Sequence, residues 1–314
     1  DKLLVATGSK PFVPPMKGLD EVEDKFTFMT WDSAKAIREK VTAGTKVLII
    51  GAGLIGLKCA EALHHLNADI TVVDLADRIL PSILDVRAGE IMQKHIEDKG
   101  TKFILGTSVE QFSKNSAKLT NGDTVDFDIL VVAVGVRPNT ELVSDAGGKV
   151  EKGIITDLHQ QTTIDNVYAA GDCTVSHDCS SNTDRILALL PNAFMQGEVA
   201  GKNMAGEETL YLNAIPMNAI GFYGLHIITA GSYDGDEDIT EDADKEIYKK
   251  LVFKDGLLKG FILMGDVARA GIYTSMIKEQ IPLTEVDLDL LREKPQMMMF
   301  GKARREEKLA GKKH

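Results

Sequence analysis

Three glycines and one aspartate in this chain have the spacing needed to hold a phosphate and a sugar. Gly51, Gly53 and Gly56 directly follow a strand-like apolar run, and Asp74 comes 18 residues after the third glycine. In such a loop the first glycine permits a tight turn, the second leaves room for a pyrophosphate, and the third lets a helix approach the strand. Free N–H groups at the start of that helix attract the phosphate. The sequence therefore predicts a dinucleotide site formed by Gly51, Gly53, Leu54, Ile55, Gly56 and Asp74.

The carboxylate of Asp74 also predicts which dinucleotide binds. At the end of the second strand it would accept hydrogen bonds from both ribose hydroxyls, and its charge would repel a 2′-phosphate. NAD is therefore favoured over its 2′-phosphorylated form. Arg78 could soften this preference, although its position is also typical of a solvated arginine. A glycine turn without a ligand is the alternative interpretation, and the complete order of strand, loop, helix and second strand argues against it.

The elements around this loop follow the order of a parallel sheet with helices. Val47–Ile50 is a continuous leucine and β-branched run, as expected for a strand buried on both faces. Asn121-Gly122-Asp123 is a strong hairpin signal within residues 109–128. The other predicted elements of this region are a helix over 57–66, a strand over 70–74, a helix over 85–99, a strand over 103–105 and a strand over 129–134.

The flanking regions predict further strands and helices. Residues 1–8 indicate a buried strand, and residues 32–43 a short helix capped by Asp32 and ended by Gly44. Residues 186–204 suit a helix that begins near Pro191. From residue 209 the pattern predicts strands near 219–230, 246–253 and 257–264, a hairpin turn at Asp255-Gly256, a helix over 267–279, and a solvated loop for the acidic run 234–238.

An internal echo links two distant parts of the chain. Leu3–Pro11 and Leu130–Pro138 share the order apolar strand, small residue, glycine, basic residue, proline. The second copy closes the unit that contains Gly51. If the first copy closes a similar unit, its glycine-rich loop would lie roughly 80–100 residues before Asp1. We therefore expect that a half-domain precedes this chain.

A second motif ends the predicted strand Asn166–Ala170 with Gly171 and Asp172, which by composition alone is a turn. Four motifs in order resemble those of the flavin-dependent pyridine nucleotide–disulfide oxidoreductases, and the resemblance extends from residue 1 to about residue 290. The branch with NADH oxidases and with rubredoxin or nitrite reductase-type NADH-flavin subunits is the most similar. The motifs are Ala6-Thr7-Gly8, Gly51–Gly56, Ala133-Val134-Gly135 with Arg137-Pro138-Asn139, and Val167–Asp172, supported by Leu190–Ala193, Gln196-Gly197 and Ala200–Gly206.

This resemblance implies two cofactors, FAD and NAD. It assigns Asp172 to a ribityl hydroxyl of the flavin, with Gly171 making room for it. Thr7 and Gly8 would lie along the adenosine and pyrophosphate half of FAD, and Gly135 would lie where the nicotinamide approaches. The implied reaction is hydride transfer from NADH to the flavin, which the protein would assist by alignment. No catalytic residue is assigned.

Two departures from the family pattern limit what carries over. Many members have a glutamate two positions after the third glycine, whereas this chain has Lys58, so the charge near the nicotinamide is in question. The main FAD-pyrophosphate loop, and the redox cysteine where one exists, belong to the part expected before Asp1. Two questions therefore stay open: whether this chain alone binds FAD, and which molecule accepts the electrons.

The fold class predicted is α/β, with a Rossmann-like NAD-binding domain (44–135) inserted in a partial FAD-binding domain (1–43 and 136–208). A C-terminal α+β domain (209–290) and a basic tail (291–314) follow. The predicted function is an FAD-dependent NADH oxidoreductase that passes electrons to oxygen, rubredoxin or a similar acceptor. The alternative is an NAD-binding fragment or subunit that has no independent catalysis and needs the first FAD half.

Composition excludes several other classes of partner. A formal net charge of −11 argues against a nucleic acid or an anionic membrane, and no apolar run is long enough to span a bilayer. Cys59, Cys173 and Cys179 are too few for a disulfide framework, which favours a cytoplasmic location. A redox pair of Cys173 and Cys179 and a metal site at His64 and His65 are disfavoured. The expected partners are NADH, an acceptor, and a second copy or a chain that supplies the FAD half.

Overall fold

The computed structural model describes residues 1–310 and has an α/β architecture. Residues 311–314 of the predicted basic tail lie outside the described part. The strands in chain order are β1 (Leu3–Val5), β2 (Ser9–Pro11), β3 (Lys25–Phe26), β4 (Lys46–Ile50), β5 (Asp69–Val73), β6 (Lys102–Ile104), β7 (Val109–Ser113), β8 (Ser116–Leu119), β9 (Thr124–Asp126), β10 (Ile129–Val132), β11 (Val136–Pro138), β12 (Ile154–Ile155), β13 (Val167–Ala169), β14 (Thr174–Asp178), β15 (Thr183–Arg185), β16 (Met217–Phe222), β17 (Leu225–Gly231), β18 (Asp236–Asp242), β19 (Ile247–Lys254) and β20 (Leu257–Met264). The helices are α1 (Trp31–Lys40), α2 (Leu54–His64), α3 (Val86–Glu97), α4 (Glu141–Ser144), α5 (Leu190–Ala205), α6 (Ala270–Lys278), α7 (Leu288–Glu293) and α8 (Lys302–Ala310).

The chain divides into two compact units. The first unit contains Asp1–Ser9, Pro138–Ile220 and the residues from His226 onward. The second unit contains Lys10–Arg137 and Gly221–Leu225. The predicted α/β fold class, with its nucleotide-binding sheet and C-terminal domain, is confirmed.

A five-stranded parallel sheet forms the centre of the second unit. Its strand order is β3-β10-β4-β5-β6, and each neighbouring pair runs parallel. The side chains of Leu48, Ile50, Leu130 and Val132 alternate along β4 and β10 and share one hydrophobic core. The intervening side chains of these two strands are also buried, as expected for a parallel sheet that is covered on both faces.

A small antiparallel sheet, β7-β8-β9, packs against that core. The predicted turn at Asn121-Gly122-Asp123 connects β8 to β9, and a second turn after Ser113 connects β7 to β8. Residues 109–128 therefore form three strands rather than the single hairpin expected. The additional turn lacked a glycine signal, and the rings of Phe112 and Phe127 stabilise the meander edge-to-face with their centroids 6.2 Å apart.

The first helix of the second unit begins one residue earlier than predicted. Thr30, rather than Asp32, is the N-cap, because its side-chain oxygen accepts a hydrogen bond from the N–H of Ser33 over 3.1 Å. The helix ends at Lys40, before the predicted end at Gly44. Asp32 lies in the first turn, where its charge complements the helix dipole.

Two short strands of the first unit, β1 and β13, pair in parallel. β1 pairs with β13 in the register Leu3↔Val167 and Val5↔Ala169. Only Val5 of β1 is buried, and Leu3 is 57% exposed, so the expectation of a buried strand over residues 1–8 was wrong. Within residues 1–310, β1 has a neighbour on one edge alone. A strand with one neighbour leaves part of its surface open.

Helix α5 lies beside these strands and matches its prediction closely. Pro191 occupies its first turn, and Gly206 ends it with a φ of +92°. Asn192, Gln196, Val199 and Ala200 face inward. Two apolar side chains at its start stay open, because Leu190 is 84% and Phe194 is 72% exposed.

An antiparallel five-stranded sheet, β16-β17-β20-β19-β18, makes up the C-terminal part. Helix α6 packs on it through Tyr273, Met276 and Ile277, which share a core with Leu251 and Phe261. The predicted hairpin turn at Asp255-Gly256 connects β19 to β20, as expected.

The acidic run predicted as a loop forms part of an edge strand, β18. Its carboxylates face basic side chains, with Glu237 paired to Lys250 at 2.5 Å and Asp238 paired to Arg292 at 2.6 Å. Acidic residues are rare in strands, so the local sequence predicted a loop. The strand's carboxylates pair with cations that are distant in the sequence.

The methionine stripe and the tail contribute packing. Met299 and Phe300 are buried in the same core as α6, whereas Met298 is 64% exposed. The part of the tail up to residue 310 includes α8, which Lys308 anchors to Glu279 at 2.9 Å. Among residues 1–310, no helix is long and apolar enough to cross a membrane.

Candidate functional site

The three glycines of the loop in the second unit each meet a different steric demand. Gly51 has a φ of +115°, and its N–H donates to the carbonyl of Val73 over 2.8 Å. A side chain on Gly56 would clash with the carbonyl of Gly51. A side chain on Gly53 would meet no protein atom within 4 Å. Gly51 and Gly56 are therefore required by the fold, whereas the space beside Gly53 is open.

Helix α2 starts beside that open space. Gly53 is its N-cap residue and supplies no side chain to cap it, and Leu54 and Ile55 form the start of its first turn. The backbone N–H groups of this turn therefore point out without a side-chain acceptor. Such a helix start carries a partial positive charge that attracts anions. The open space and the uncapped turn together fit a phosphate.

Asp74 follows β5 and lies next to the loop. Its carboxylate accepts a hydrogen bond from the N–H of Ala52 over 2.6 Å and another from the N–H of Ala76 over 2.7 Å. These bonds hold the carboxylate at the edge of the sheet where the loop begins. An ionised carboxylate has about four acceptor sites, so two backbone donors leave room for sugar hydroxyls. Arg78 directs its guanidinium to Asp77 at 3.1 Å.

Gly135 lies in the turn after β10, the neighbour of β4. It has a φ of +120°, and a side chain there would meet no protein atom within 4 Å. Its carbonyl accepts a hydrogen bond from the N–H of Phe12 over 2.9 Å. Because the carboxyl ends of parallel strands meet at one edge, Gly135 and the glycine loop share the same edge of the sheet.

In the first unit, the predicted flavin residues follow β1 and β13. Ala170 N–H donates to the carbonyl of Val5 over 3.0 Å, so the turns after these two strands leave at the same edge. Gly8 has a φ of +63° and Gly171 a φ of +85°. Sequence reasoning thus selected two turns that the parallel pairing brings together.

Asn139 and Ser9 fix these turns, and sequence reasoning gave neither a role. Asn139 donates its side-chain N–H to the carbonyl of Thr7 over 2.9 Å, and the Thr7 hydroxyl donates to the carbonyl of Asn139 over 2.6 Å. Ser9 directs its hydroxyl to the carboxylate of Asp172 at 3.4 Å. The motif Arg137-Pro138-Asn139 was the only sequence signal that pointed to Asn139 and so to its contact with Thr7. Nothing in the local sequence indicated the second, which joins residues 163 positions apart.

The side chain of Lys58 has its contacts within the second unit. Its ammonium donates to Glu61 over 2.6 Å and to the carbonyl of Gly221, and it lies 5.0 Å from the ring centre of Phe222. Glu61 also accepts the N–H of Tyr223 over 2.6 Å. Lys58 therefore holds the turn 221–225 on α2, and Glu61 offsets its charge.

The three cysteines do not form a redox pair. Cys173 and Cys179 are buried in separate hydrophobic cores as free thiols. Burial raises the pKa of Cys59 to about 12, and burial together with Asp178 raises the pKa of Cys179. Both thiols are protonated near neutral pH, so neither is an activated nucleophile.

The histidines also have local partners. His64 stacks edge-on with Tyr223 at a centroid distance of 5.2 Å, and His177 contacts Asp184 at 2.9 Å. Within residues 1–310, no group of three or more histidine, cysteine, aspartate or glutamate side chains is placed to hold a metal ion.

Comparison with known sequences decides the family. Residues 1–197 match the family described as pyridine nucleotide-disulphide oxidoreductase, and residues 216–281 match the rubredoxin NAD+ reductase C-terminal domain. The first match covers more than half of the chain. The chain belongs to the pyridine nucleotide-disulphide oxidoreductase family. The resemblance drawn from its motifs is thereby confirmed, and the family binds FAD and NAD(H).

Three curated relatives of the chain illustrate the similarity. The NADH-dependent phenylglyoxylate dehydrogenase subunit epsilon of Aromatoleum evansii is 33% identical over 295 residues, which are 90% of this chain and 70% of the relative. The NADH oxidase of Methanocaldococcus jannaschii is 37% identical over 217 residues, which are 67% of this chain and 48% of the relative. The chain thus spans about half of the oxidase, and only 37% of the assimilatory nitrate reductase electron transfer subunit of Bacillus subtilis.

Solved structures show the same fold. A NAD-dependent persulfide reductase from A. fulgidus is 27% identical with a TM-score of 0.81, covering 91% of this chain and 58% of that protein. The water-forming NADH oxidase from Lactobacillus brevis, solved with NADH, has a TM-score of 0.84 at 24% identity and covers 94% of this chain and 70% of that protein.

The residues present fit both cofactors of the family, to different extents. The open space at Gly53, the uncapped start of α2 and the Asp74 carboxylate provide a phosphate site and a sugar site. For the flavin, Gly8 and Gly171 open the turns, and the Asp172 carboxylate is available beside them. The described residues of the first unit contain no second glycine-rich strand–loop–helix.

Proposed function

We propose that this oxidoreductase chain is the NAD-binding part of an NADH:acceptor oxidoreductase that works with FAD. The observation that carries the proposal is the open space at Gly53, bounded by the uncapped start of α2 and by Asp74. A pyrophosphate at this helix start would gain charge-assisted hydrogen bonds from backbone N–H groups. The Asp74 carboxylate would accept the ribose hydroxyls and repel a 2′-phosphate, so NADH is the expected substrate.

We assign the site residues accordingly. The NAD residues are Gly51, Gly53, Leu54, Ile55, Gly56, Asp74 and Gly135. The FAD residues are Thr7, Gly8, Gly171 and Asp172. Bound FAD supplies the chemistry of accepting a hydride and releasing electrons to an acceptor. The residues of this chain hold and orient the dinucleotide, and no side chain is assigned a proton-transfer role.

The acceptor is proposed from the branch of the family. The C-terminal part matches the rubredoxin NAD+ reductase C-terminal domain, and relatives carry the names NADH oxidase and electron transfer subunit. Oxygen and a small redox protein such as rubredoxin are therefore the candidate acceptors. The buried free thiols fit a reducing compartment, which supports a cytoplasmic location.

A partner strand is expected at β1. β10, the echo of β1 in the second unit, lies between β4 and β3, whereas β1 pairs with β13 alone among the described residues. An unpaired strand edge is a template for another strand. We propose that a further segment, a partner chain or a second copy pairs there and supplies the flavin-pyrophosphate loop.

The second candidate function is an NAD-binding subunit without independent catalysis. Two relatives are named as subunits, which favours it. On this view the chain binds NADH but transfers no hydride until the remaining flavin contacts are supplied. The two candidates share the same NAD site and differ only in flavin reduction.

A pair of glycine variants tests the NAD site. Gly53→Val places its side chain in open space, so the fold should persist while NADH binding is lost to a clash with phosphate. Gly56→Val would clash with the Gly51 carbonyl and should instead lower the melting temperature. Calorimetric titration with NADH and thermal unfolding separate these effects. If a folded Gly53→Val chain bound NADH with unchanged affinity, the proposal that this loop binds the pyrophosphate would be wrong.

A further inference from the structure

Gln196 is a buried amide on the inner face of α5, only 2% exposed. Its side-chain oxygen accepts the N–H of Gly171 over 2.6 Å. Its side-chain nitrogen donates to the hydroxyl of Thr174 over 3.1 Å and to the hydroxyl of Ser176. All of these partners lie in the turn after β13 or in β14. One side chain therefore connects the helix to both sides of the Gly171–Asp172 turn.

The contacts fix the backbone of a residue that is otherwise free to rotate. Gly171 has a φ of +85°, a region in which glycine carries little steric restraint. Gln196 holds its N–H, and the Thr174 hydroxyl donates to its carbonyl over 2.8 Å. Thr174 N–H donates to the same carbonyl over 3.0 Å. Both backbone polar groups of Gly171 are thus restrained, the N–H by Gln196 directly and the carbonyl by Thr174, whose hydroxyl Gln196 also contacts.

The neighbouring carboxylate has little restraint of its own. Within residues 1–310, the Ser9 hydroxyl at 3.4 Å is the only hydrogen-bond donor to the side chain of Asp172. That distance is at the long end for an O–H···O contact. The direction of the carboxylate therefore depends on the backbone of Gly171, whose N–H Gln196 holds directly and whose carbonyl it holds through Thr174.

The other buried or half-buried amides of α5 serve a different purpose. Asn192 donates to the carbonyl of Ile215 over 3.0 Å and accepts the hydroxyl of Tyr211 over 2.9 Å. Asn203 donates to the carbonyl of Thr209 over 2.7 Å. Both hold the segment that follows the helix, and Asn203 also donates to the carbonyl of His159 over 3.2 Å, whereas Gln196 faces the Gly171–Asp172 turn.

We propose that Gln196 is a positioning residue that aims the Asp172 carboxylate at the flavin. The proposal rests on the proposed function, because it assumes that Asp172 receives a flavin hydroxyl. Gln196 itself need not touch the flavin. It acts by holding the N–H of Gly171 and so the direction of the next residue.

The test compares two substitutions on the same helix. Gln196→Met keeps the volume of the side chain and removes the amide, whereas Asn203→Leu removes an amide that holds the 209 segment. Amide hydrogen exchange at Gly171 is measured in the chain without flavin, and FAD affinity is measured by fluorescence titration of each chain. NADH affinity and thermal unfolding are recorded for each variant as well.

Gln196→Met should speed exchange at Gly171 and weaken FAD binding, each by roughly tenfold, as the loss of one buried hydrogen bond implies. Asn203→Leu should leave both values near those of the unmutated chain even if its melting temperature falls. NADH affinity should change in neither. Unchanged exchange at Gly171, or faster exchange with unchanged FAD affinity, would overturn the role of Gln196. Failure of the unmutated chain to bind FAD at all would instead favour the second candidate function, a subunit that needs further flavin contacts, while the exchange measurement would still decide whether Gln196 holds the turn.

Discussion

Individual residues in this chain divide into those that the fold needs and those that it leaves free for a ligand. Gly56 cannot carry a side chain because the Gly51 carbonyl is in the way, while Gly53 can. Asp74 is held by two backbone N–H groups and retains acceptor capacity. A ligand site is recognised where steric freedom and directed polar groups coincide, and the space beside Gly53 meets both conditions.

Asp74→Ala should weaken NADH binding by about 1–3 kcal/mol, because the ribose hydroxyls would lose their acceptor. It should also reduce discrimination against NADPH, because the charge that repels a 2′-phosphate is gone. Fluorescence titration with both nucleotides measures this. Asp77→Ala is the matched control, since its side chain is 84% exposed and only three residues away. Equal losses in both variants would contradict the role of Asp74.

The buried thiol of Cys59 should make the free energy of unfolding fall at alkaline pH. Burial raises the pKa of its thiol to about 12 in the folded chain, above the value of about 8.5 expected when unfolded. The stabilisation from the protonated thiol is therefore present below pH about 8.5 and is lost as the pH rises towards 12, by at most about 1.4 kcal/mol per pH unit. Urea unfolding of the unmutated chain between these limits should show a steeper decline than Cys59→Ala. Parallel declines would contradict the burial argument.

Single elements show where a local pattern is sufficient and where distant contacts decide. β4, its glycine loop and α2 could be predicted because apolar run, glycines and helical spacing are adjacent in sequence. β18 could not, because its acidic residues pair with cations distant in sequence, among them Lys250 and Arg292. The contact of Ser9 with Asp172 joins two separate turns, and a single sequence carries no sign of such pairings. The candidate NAD residues could thus be predicted from the sequence, whereas the contacts that hold the Gly171–Asp172 turn could not.

The turn 221–225 gives a prediction at this scale. Glu61 joins the ammonium of Lys58 and the N–H of Tyr223, and its side chain is only 20% exposed. Glu61→Ala should lower the free energy of unfolding by about 1–3 kcal/mol, because the backbone N–H of Tyr223 loses its partner. Glu90→Ala removes a surface ion pair with Arg87, in which the side chain of Glu90 is 59% exposed. This control should lower the free energy of unfolding by about 0.5 kcal/mol or less. Chemical unfolding measures both, and equal costs would show that Glu61 does not anchor the turn.

At the scale of the whole chain, the second unit holds the candidate NAD site and the first unit holds the turns proposed for the flavin. The echo between Leu3–Pro11 and Leu130–Pro138 corresponds to β1 and β10, and these two strands differ in their neighbours. β10 lies inside a five-stranded sheet and β1 at an edge. We therefore expect strong NADH binding by the chain and weak flavin binding until a partner strand adds its contacts.

Anaerobic mixing of the chain with NADH and excess FAD tests whether the chain delivers a hydride from NADH to the flavin. Loss of the visible absorbance of oxidised flavin reports hydride transfer, and NADPH and the Gly53→Val chain serve as controls. We expect NADH to bleach the flavin faster in the presence of the chain than without it, NADPH to do so more slowly, and Gly53→Val to abolish the acceleration. Bleaching by NADPH that equals or exceeds that by NADH would contradict the assigned nucleotide site. Tight NADH binding without any acceleration would contradict independent catalysis and favour the role of a subunit.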